Sequence, residues 1–357
     1  MKRVGILTSG GDCQSLNATM RGVVKGLHTI EGDVEIYGFK DGYRGLIYGN
    51  YRKLDFSDFS GILTLGGTIL GTSRQPFKLM RVPDENGLDK VASMKSTYKY
   101  LKLDCLVVLG GNGSQKTANM LREEGLNVIA LPKTIDNDLY GTEMTFGFQS
   151  AVDIATETID RFHTTAASHN RVFIVELMGH KVGWVTLHAG IAGGADIILI
   201  PEIPYNLSHI VDAIERRASH GKQFTIIAVA EGAISREDAK FSKKEYKEKL
   251  AKRKHSTVSY ELASKIEKAT GLEVRVAIPG HTQRGGSPVP FDRVISSRLG
   301  AAAAELIHRE KYGRLLVMNG FEVSSIPLQE SAGKLKYVSP DDQIVVQARE
   351  LGISFGD

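Results

Sequence analysis

Thr134, Asp136 and Asp138 stand at alternate positions of Pro132-Lys133-Thr134-Ile135-Asp136-Asn137-Asp138, bringing a hydroxyl and two carboxylates together. Such groups can take a proton from a substrate hydroxyl and hold a cation or a solvated phosphate cluster. The apolar run before them, residues 128–131, reads as a buried parallel strand. The heptad therefore lies at a strand's carboxyl end, where open α/β sheets place their chemistry. If it stays extended, one carboxylate can face a substrate while the other serves a metal or phosphate cluster. An isolated Asp-x-Asp is more often a helix-capping loop, but the neighbouring loops reverse that reading here.

The first of those loops follows the short strand Val4, Gly5, Ile6, Leu7 and reads Thr8, Ser9, Gly10, Gly11, Asp12. Leu16, Met20, Val23, Val24 and Leu27 then keep helical spacing. Two glycines let backbone amides approach an anion at a helix start, whose free N–H groups and dipole favour phosphate. Residues 66–74 add three glycines and three hydroxyl residues before Arg74, a charge-assisted donor, and read as a loop able to wrap an anion. Another buried strand, 106–109, precedes Gly110, Gly111, Asn112, Gly113 and Ser114 and a helix stopping at Gly125. With the heptad and its helix through Ala151, Ile154, Ile159 and Phe162, three βα units place anion-competent loops along one sheet edge. A nucleotide or phosphorylated metabolite is the expected ligand.

The second half repeats the pattern with strands at 172–175, 197–200, 224–230 and 274–278. Their carboxyl ends carry residues 176–181, Pro201 and Glu202, Glu231 and Gly232, and 279–286, where His281 and Arg284 stand among glycines. That pair can hold a phosphate and its neighbouring hydroxyl. A last strand at 315–318 precedes what reads as a polar tail. Residues 236–255 read as a solvated, helical insertion, with nine Lys/Arg against four Asp/Glu.

A chain of 357 residues suggests about two domains. Its net charge of +4 lies in the insertion, so a broad basic face for nucleic acid is not expected. Two cysteines, Cys13 and Cys105, lack metal-ligand spacing and suit a reducing, cytoplasmic setting. No charged-then-apolar leader and no run of about 18 apolar residues is seen, so neither export nor membrane insertion is expected.

In chain order, residues 8–12 (TSGGD), 110–114 (GGNGS), 132–138 (PKTIDND), 178–184 (MGHKVGW) and 281–288 (HTQRGGSP) resemble the motifs of the 6-phosphofructokinase family. The likeness runs over about residues 4–300. It implies transfer of the ATP γ-phosphoryl group to the 1-hydroxyl of fructose 6-phosphate in glycolysis, with magnesium, in a cytoplasmic homotetramer with shared active sites. It also implies an α/β fold of two doubly wound three-layer domains with mostly parallel sheets. Residues 1–147 with 283–333 would take the phosphoryl donor, and 148–282 with 334–357 the sugar phosphate.

Carried over by motif, Asp136 looks like the general base, with Thr134, Arg74 and Lys133 completing the catalytic set. Gly11, Tyr43, Arg74, Gln75, Gly111, Asn112, Gly113 and Ser114 match the ATP site. Thr134, Ile135, Asp136, Met178, Gly179, His180, Glu231, His281, Thr282, Gln283 and Arg284 match the sugar-phosphate site. Arg171 and Arg275 match arginines that reach the 6-phosphate from a neighbouring subunit. Asp138 would hold magnesium, with Asn112 a second candidate.

Three departures bear on the donor. Asn112 stands where ATP-dependent members commonly carry Asp. Gly113 leaves room for a nucleotide α-phosphate where pyrophosphate users usually have Asp, whereas Lys133 is the residue of the pyrophosphate users. The Gly113 and Lys133 combination resembles a mixed type linked with ATP, so ATP is the expected donor and pyrophosphate the alternative. His180 replaces the usual arginine. A nucleotide-binding regulatory module would explain the glycine loops but not Thr134, Asp136 and Asp138.

Overall fold

A computed structural model describes residues 1–169 and 171–357. The chain runs β1 (Lys2–Ser9), α1 (Leu16–Glu31), β2 (Val34–Phe39), α2 (Tyr43–Tyr48), β3 (Tyr51–Leu54), α3 (Lys90–Tyr100), β4 (Cys105–Gly110), α4 (Asn112–Glu123) and β5 (Val128–Pro132). Next come α5 (Phe148–His169), β6 (Val172–Leu177), α6 (Trp184–Ala192), β7 (Ile197–Leu199), α7 (Leu207–Ser219), β8 (Thr225–Ala230), α8 (Lys243–Ala251), α9 (Val258–Thr270) and β9 (Val274–Ala277). It closes with α10 (Pro290–His308), β10 (Arg314–Asn319), β11 (Glu322–Pro327), α11 (Leu328–Ser331) and α12 (Gln343–Glu350). Two compact units result: Met1–Ser150 with Arg284–Lys336, and Ala151–Gln283 with Tyr337–Asp357.

The first unit holds a seven-stranded sheet in the order β11-β10-β5-β4-β1-β2-β3. Its pairings are parallel except at the two edges, β3 and β11. Leu106, Val107, Val108 and Leu109 are all fully buried, so β4 is covered on both faces and tolerates an unbroken apolar run. The chain leaves β1 towards β2 on one side and returns through β4 on the other, so the strand order reverses between them. There Ser9 pairs with Gly110, and Gly110 with Pro132, bringing three strand ends level.

The second unit holds a parallel sheet in the order β7-β8-β6-β9. Val172, Ile174, Ile197, Leu199, Ile227 and Val229 pack with Ile210 and Ile214 of α7 and Leu262 and Ile266 of α9. Its strand order reverses between β6 and β9, setting the loops after those strands side by side.

One reading of these stretches needs adjustment and another holds. The expected polar tail contains β11, which pairs with β10, and α12, whose Val345 and Ala348 are buried. Its short apolar segments escaped notice because an edge strand buries little. The lysine-rich insertion does form a helix: Ser242 and Glu245 close a reciprocal capping box at the start of α8, which buries none of its residues. Among the described residues no helix is long and apolar enough to cross a membrane.

Glycines set how closely α1 and α10 approach. A Cβ on Gly22 would lie 2.9 Å from the Ser297 carbonyl oxygen, and one on Gly300 would lie 2.6 Å from the Val23 nitrogen. Gly300→Ala should therefore destabilise the protein, because overpacking costs about 1–3 kcal/mol against about 1 kcal/mol of helix propensity gained. Chemical denaturation checks this; a variant as stable as the parent would mean that the two helices part without loss.

Candidate active site

In the first unit the turn after β1 is gripped from several directions. Gly10 has a left-handed φ of 88°, its amide donates to the Ser73 carbonyl (3.1 Å), and its own carbonyl accepts from Thr72 Oγ1 (2.7 Å). Lys133, only 4% exposed, donates through Nζ to the Gly11 carbonyl. Arg284 Nη1 donates to the Asp12 carbonyl (2.9 Å), and a Cβ on Gly11 would stand 2.8 Å from that nitrogen. Two cations thus border residues 10–12. Burial holds the Lys133 pKa below the usual lysine value, opposed by Cys13 and assisted by Arg284.

The neighbouring turn opens α4. Gly111 is its N-cap and leaves only 3.3 Å between an added Cβ and the Lys133 carbonyl oxygen, whereas nothing lies within 4 Å of a Cβ on Gly113. The first amides of α4 are thus bordered by glycines, as an anion site requires.

The heptad itself does not stay extended, a correction to the expectation from the sequence. Ile135 and Asp136 form a bend, and Asn137 takes a left-handed φ of 53°. The Asp136 amide donates to Thr134 Oγ1 (3.0 Å), a local turn that hydroxyl residues favour. Asn137 Nδ2 donates to the Glu143 carbonyl (3.1 Å), and its Oδ1 accepts from the Thr145 amide (3.0 Å). Asp136 and Asp138 therefore feel one another. Burial, and then the Asp136 charge, raise the Asp138 pKa from 3.8 to about 6.

In the second unit the loop after β6 is pinned by side chains. Glu231 accepts from the amides of Gly179 (3.3 Å) and His180 (2.8 Å), and Gln283 Oε1 accepts from the Met178 amide (3.3 Å). Glu202 accepts from the Gly183 amide (3.1 Å). Gly179 has a φ of 153°, and its added Cβ would lie 2.6 Å from the Val182 carbonyl oxygen, so glycine is required. His180 and His281 are exposed, and Thr282 Oγ1 donates to the Pro279 carbonyl (2.8 Å). Arg171 and Arg275 both pair with Glu273, with Arg275 on the sheet-edge strand β9.

Residues 3–307 match the family model described as phosphofructokinase. The chain belongs to the phosphofructokinase family. It is 56% identical to an ATP-dependent 6-phosphofructokinase of Spirochaeta thermophila, covering 99% of this chain and 97% of that protein. It is 46% identical to ATP-dependent 6-phosphofructokinase 3 of Bacteroides thetaiotaomicron, covering 99% and 100%. Among solved structures, phosphofructokinase from Saccharomyces cerevisiae aligns at a TM-score of 0.80 and 30% identity, over 93% of this chain and 45% of that one.

Several residues matched to family positions have other work in this phosphofructokinase. Tyr43 is fully buried and its hydroxyl donates to the Ser114 carbonyl (2.7 Å), so it supports α4 from within. Ile135 is fully buried and can offer a ligand only its backbone. Ser114 Oγ donates to Ser9 Oγ (3.0 Å), linking the two glycine turns. The hydroxyls of Thr68, Thr72 and Ser73 are spent within the loop network, on Thr8, the Gly10 carbonyl and the Asp41 carbonyl. This leaves exposed Arg74 and half-buried Gln75 as that loop's outward groups. Arg284, placed with the sugar site by motif, packs on the Gly11 turn of the first unit. Asn112 commits its side-chain nitrogen to the Lys334 carbonyl (2.5 Å), so only its neutral oxygen is left for a cation.

Asp138 yields a prediction about pH. Its raised folded pKa means that the folded chain keeps a proton which the unfolded chain releases above about pH 4. Its contribution to stability should fall as pH rises from about 4 to about 6 and then level off. Asp138→Asn should flatten that part of the profile in denaturation series; an unchanged slope would place the titration elsewhere.

Proposed function

We propose that this protein is an ATP-dependent 6-phosphofructokinase, transferring the γ-phosphoryl group of ATP to the 1-hydroxyl of fructose 6-phosphate in glycolysis. The observation that carries this is the level alignment of three strand ends, with the Thr134–Asp136 turn after β5 beside the glycine turns after β1 and β4. The relatives' names, ATP-dependent 6-phosphofructokinase, support the donor and the reaction. Asp136 takes the proton of the attacking hydroxyl, with Thr134 beside the transferred group. Phosphoryl transfer is mostly positioning and charge neutralisation, which Arg74, Lys133, Arg284 and the Gly11 and Gly111 backbone can supply.

The acidic pair fits a divalent cation, since the Asp136 charge already disfavours ionised Asp138. No group of three His, Cys, Asp or Glu gathers among the described residues, and magnesium commonly uses one or two carboxylates with substrate phosphates. Asp138 and the Asn112 oxygen, with the ATP phosphates, would hold magnesium, which would supply neutralisation of charge on the transferred group. Met178, Gly179, His180, Glu231, His281, Thr282 and Gln283 receive the sugar phosphate, Glu231 and Gln283 chiefly by shaping the 178–183 turn. Arg171 and Arg275 act on the 6-phosphate of an adjacent subunit, in a cytoplasmic homotetramer.

The donor is tested by supplying fructose 6-phosphate and magnesium with either ATP or pyrophosphate. Product with ATP is expected; product with pyrophosphate alone would move the chain to the pyrophosphate users, which Lys133 resembles, and product with neither would favour a regulatory module. Gly113→Asp sharpens this test, because its side chain enters open space and should leave the fold intact. It should damage ATP use by about ten-fold or more through repulsion at the α-phosphate, and spare any pyrophosphate use. Equal losses with both donors would remove that position from donor selection.

Shared sites are tested by mixing. Asp136→Ser should lower kcat by about 10²-fold or more, as loss of a positioned base does. Arg171→Ala should weaken sugar-phosphate binding by roughly ten-fold or more, as loss of a charge-assisted bond does. Mixed oligomers of the two should regain activity, since some sites receive an intact Asp136 from one chain and an intact Arg171 from another. Hybrids that form and stay inactive would refute sharing.

A further inference from the structure

The residues between Asp138 and Thr145 leave the catalytic turn as an irregular excursion whose carbonyls cannot be satisfied by a sheet ladder. The strand end of β10 holds its middle: the Glu143 amide donates to the Met318 carbonyl (2.9 Å), and the Met318 amide to Thr142 Oγ1 (2.9 Å). A later segment, residues 331–336, holds the rest. Ser331 Oγ donates to the Tyr140 carbonyl (2.6 Å), Leu335 bridges Leu139, and the Lys334 ammonium lies 5.1 Å from the centre of the Tyr140 ring. Lys336 does most. Its amide donates to the Asp138 carbonyl (2.9 Å), and its Nζ donates to the carbonyls of Thr142 (3.0 Å) and Glu143 (2.8 Å).

We propose that residues 331–336 form a strap over the catalytic loop and that Lys336 is a positioning residue for phosphoryl transfer, fixing the loop that carries Asp136 and Asp138 without itself touching the substrate. One residue thus grips both ends of the 138–143 excursion, by its amide at Asp138 and by its ammonium at Thr142 and Glu143. The strap also reaches the other wall of the donor site, because the Lys334 carbonyl accepts from Asn112 at the start of α4. It lies beyond residues 3–307, the stretch matched by the family model. An ammonium suits the task, offering several donors on a flexible stem to carbonyls on different residues.

The role as a positioning residue rests on the kinase reading, but the strap can be tested without substrate. Lys336→Met keeps the stem and removes the Nζ donors. Amide exchange in residues 138–145 should speed up by about ten-fold or more, with protection elsewhere in the first unit unchanged. With fructose 6-phosphate and ATP, kcat should fall by about ten-fold while the KM for ATP stays within about two-fold, as misplaced but intact catalytic groups predict. Lys336→Arg, which keeps the donors, should restore kcat to within about three-fold of the parent. Should Lys336→Met fail to fold, Ser331→Ala removes another bond of the same strap and should loosen the same loop. Unchanged exchange in 138–145, or faster exchange throughout the unit with no separation of kcat from KM, would overturn the proposal. A parent inactive with ATP would defeat the kinase reading while leaving the exchange result decisive for the strap.

Discussion

The bond from Lys133 Nζ to the Gly11 carbonyl ties the exit of β5 to the exit of β1, and the catalytic side of the first unit depends on it. An ammonium this buried would ordinarily be costly, and its depressed pKa reflects that cost. Here the cation is directed at the mouth of a helix start, where a phosphate would bring the opposite charge. The site holds part of its counter-charge before any ligand arrives, so little reorganisation is left for the moment of reaction.

The acidic residues around the chemistry mostly serve the backbone. Glu231 and Glu202 accept amides of the 178–183 turn, and Asp292, fully buried on α10, accepts the amides of Gly147 and Ser150 at the start of α5. Burial raises the pKa of Glu202 and Asp292, and their amide partners pull the other way. A carboxylate facing several N–H groups fixes a turn that has no ladder of its own, and it does so at a helix N-terminus where negative charge is favoured.

What could be read from the sequence was whatever repeated. Strand, glycine turn and helix recur with clear periodicity, so the parallel strands, their loops and the heptad announced themselves through residues such as Gly10, Gly111 and Asp136. What was missed depended on contacts distant in sequence. Nothing local says that Asn137 adopts a left-handed turn, that Tyr43 points inward to Ser114, or that Glu273 gathers Arg171 and Arg275. Lys334 and Lys336 fell within the stretch read as a polar tail, and their partners, Asn112 and Thr142, are distant in the chain. The strand β2 was overlooked because its apolar residues are few and interrupted by Gly38.

Neither unit is continuous in the chain, and this shapes how the protein is made. On a ribosome β5 emerges early, but its neighbour β10 follows only after residues 151–283 of the second unit have been synthesised. Until then β5 is an open edge of an apolar parallel sheet, the kind of surface that invites mispairing. The second unit waits as well: its β7 is bridged by Ser354, and the Ile198 amide donates to the Ser354 carbonyl, so this edge is covered only by residues more than 150 positions later. The nascent protein therefore completes each sheet long after its first strands emerge, and that interval is when it is most exposed to aggregation.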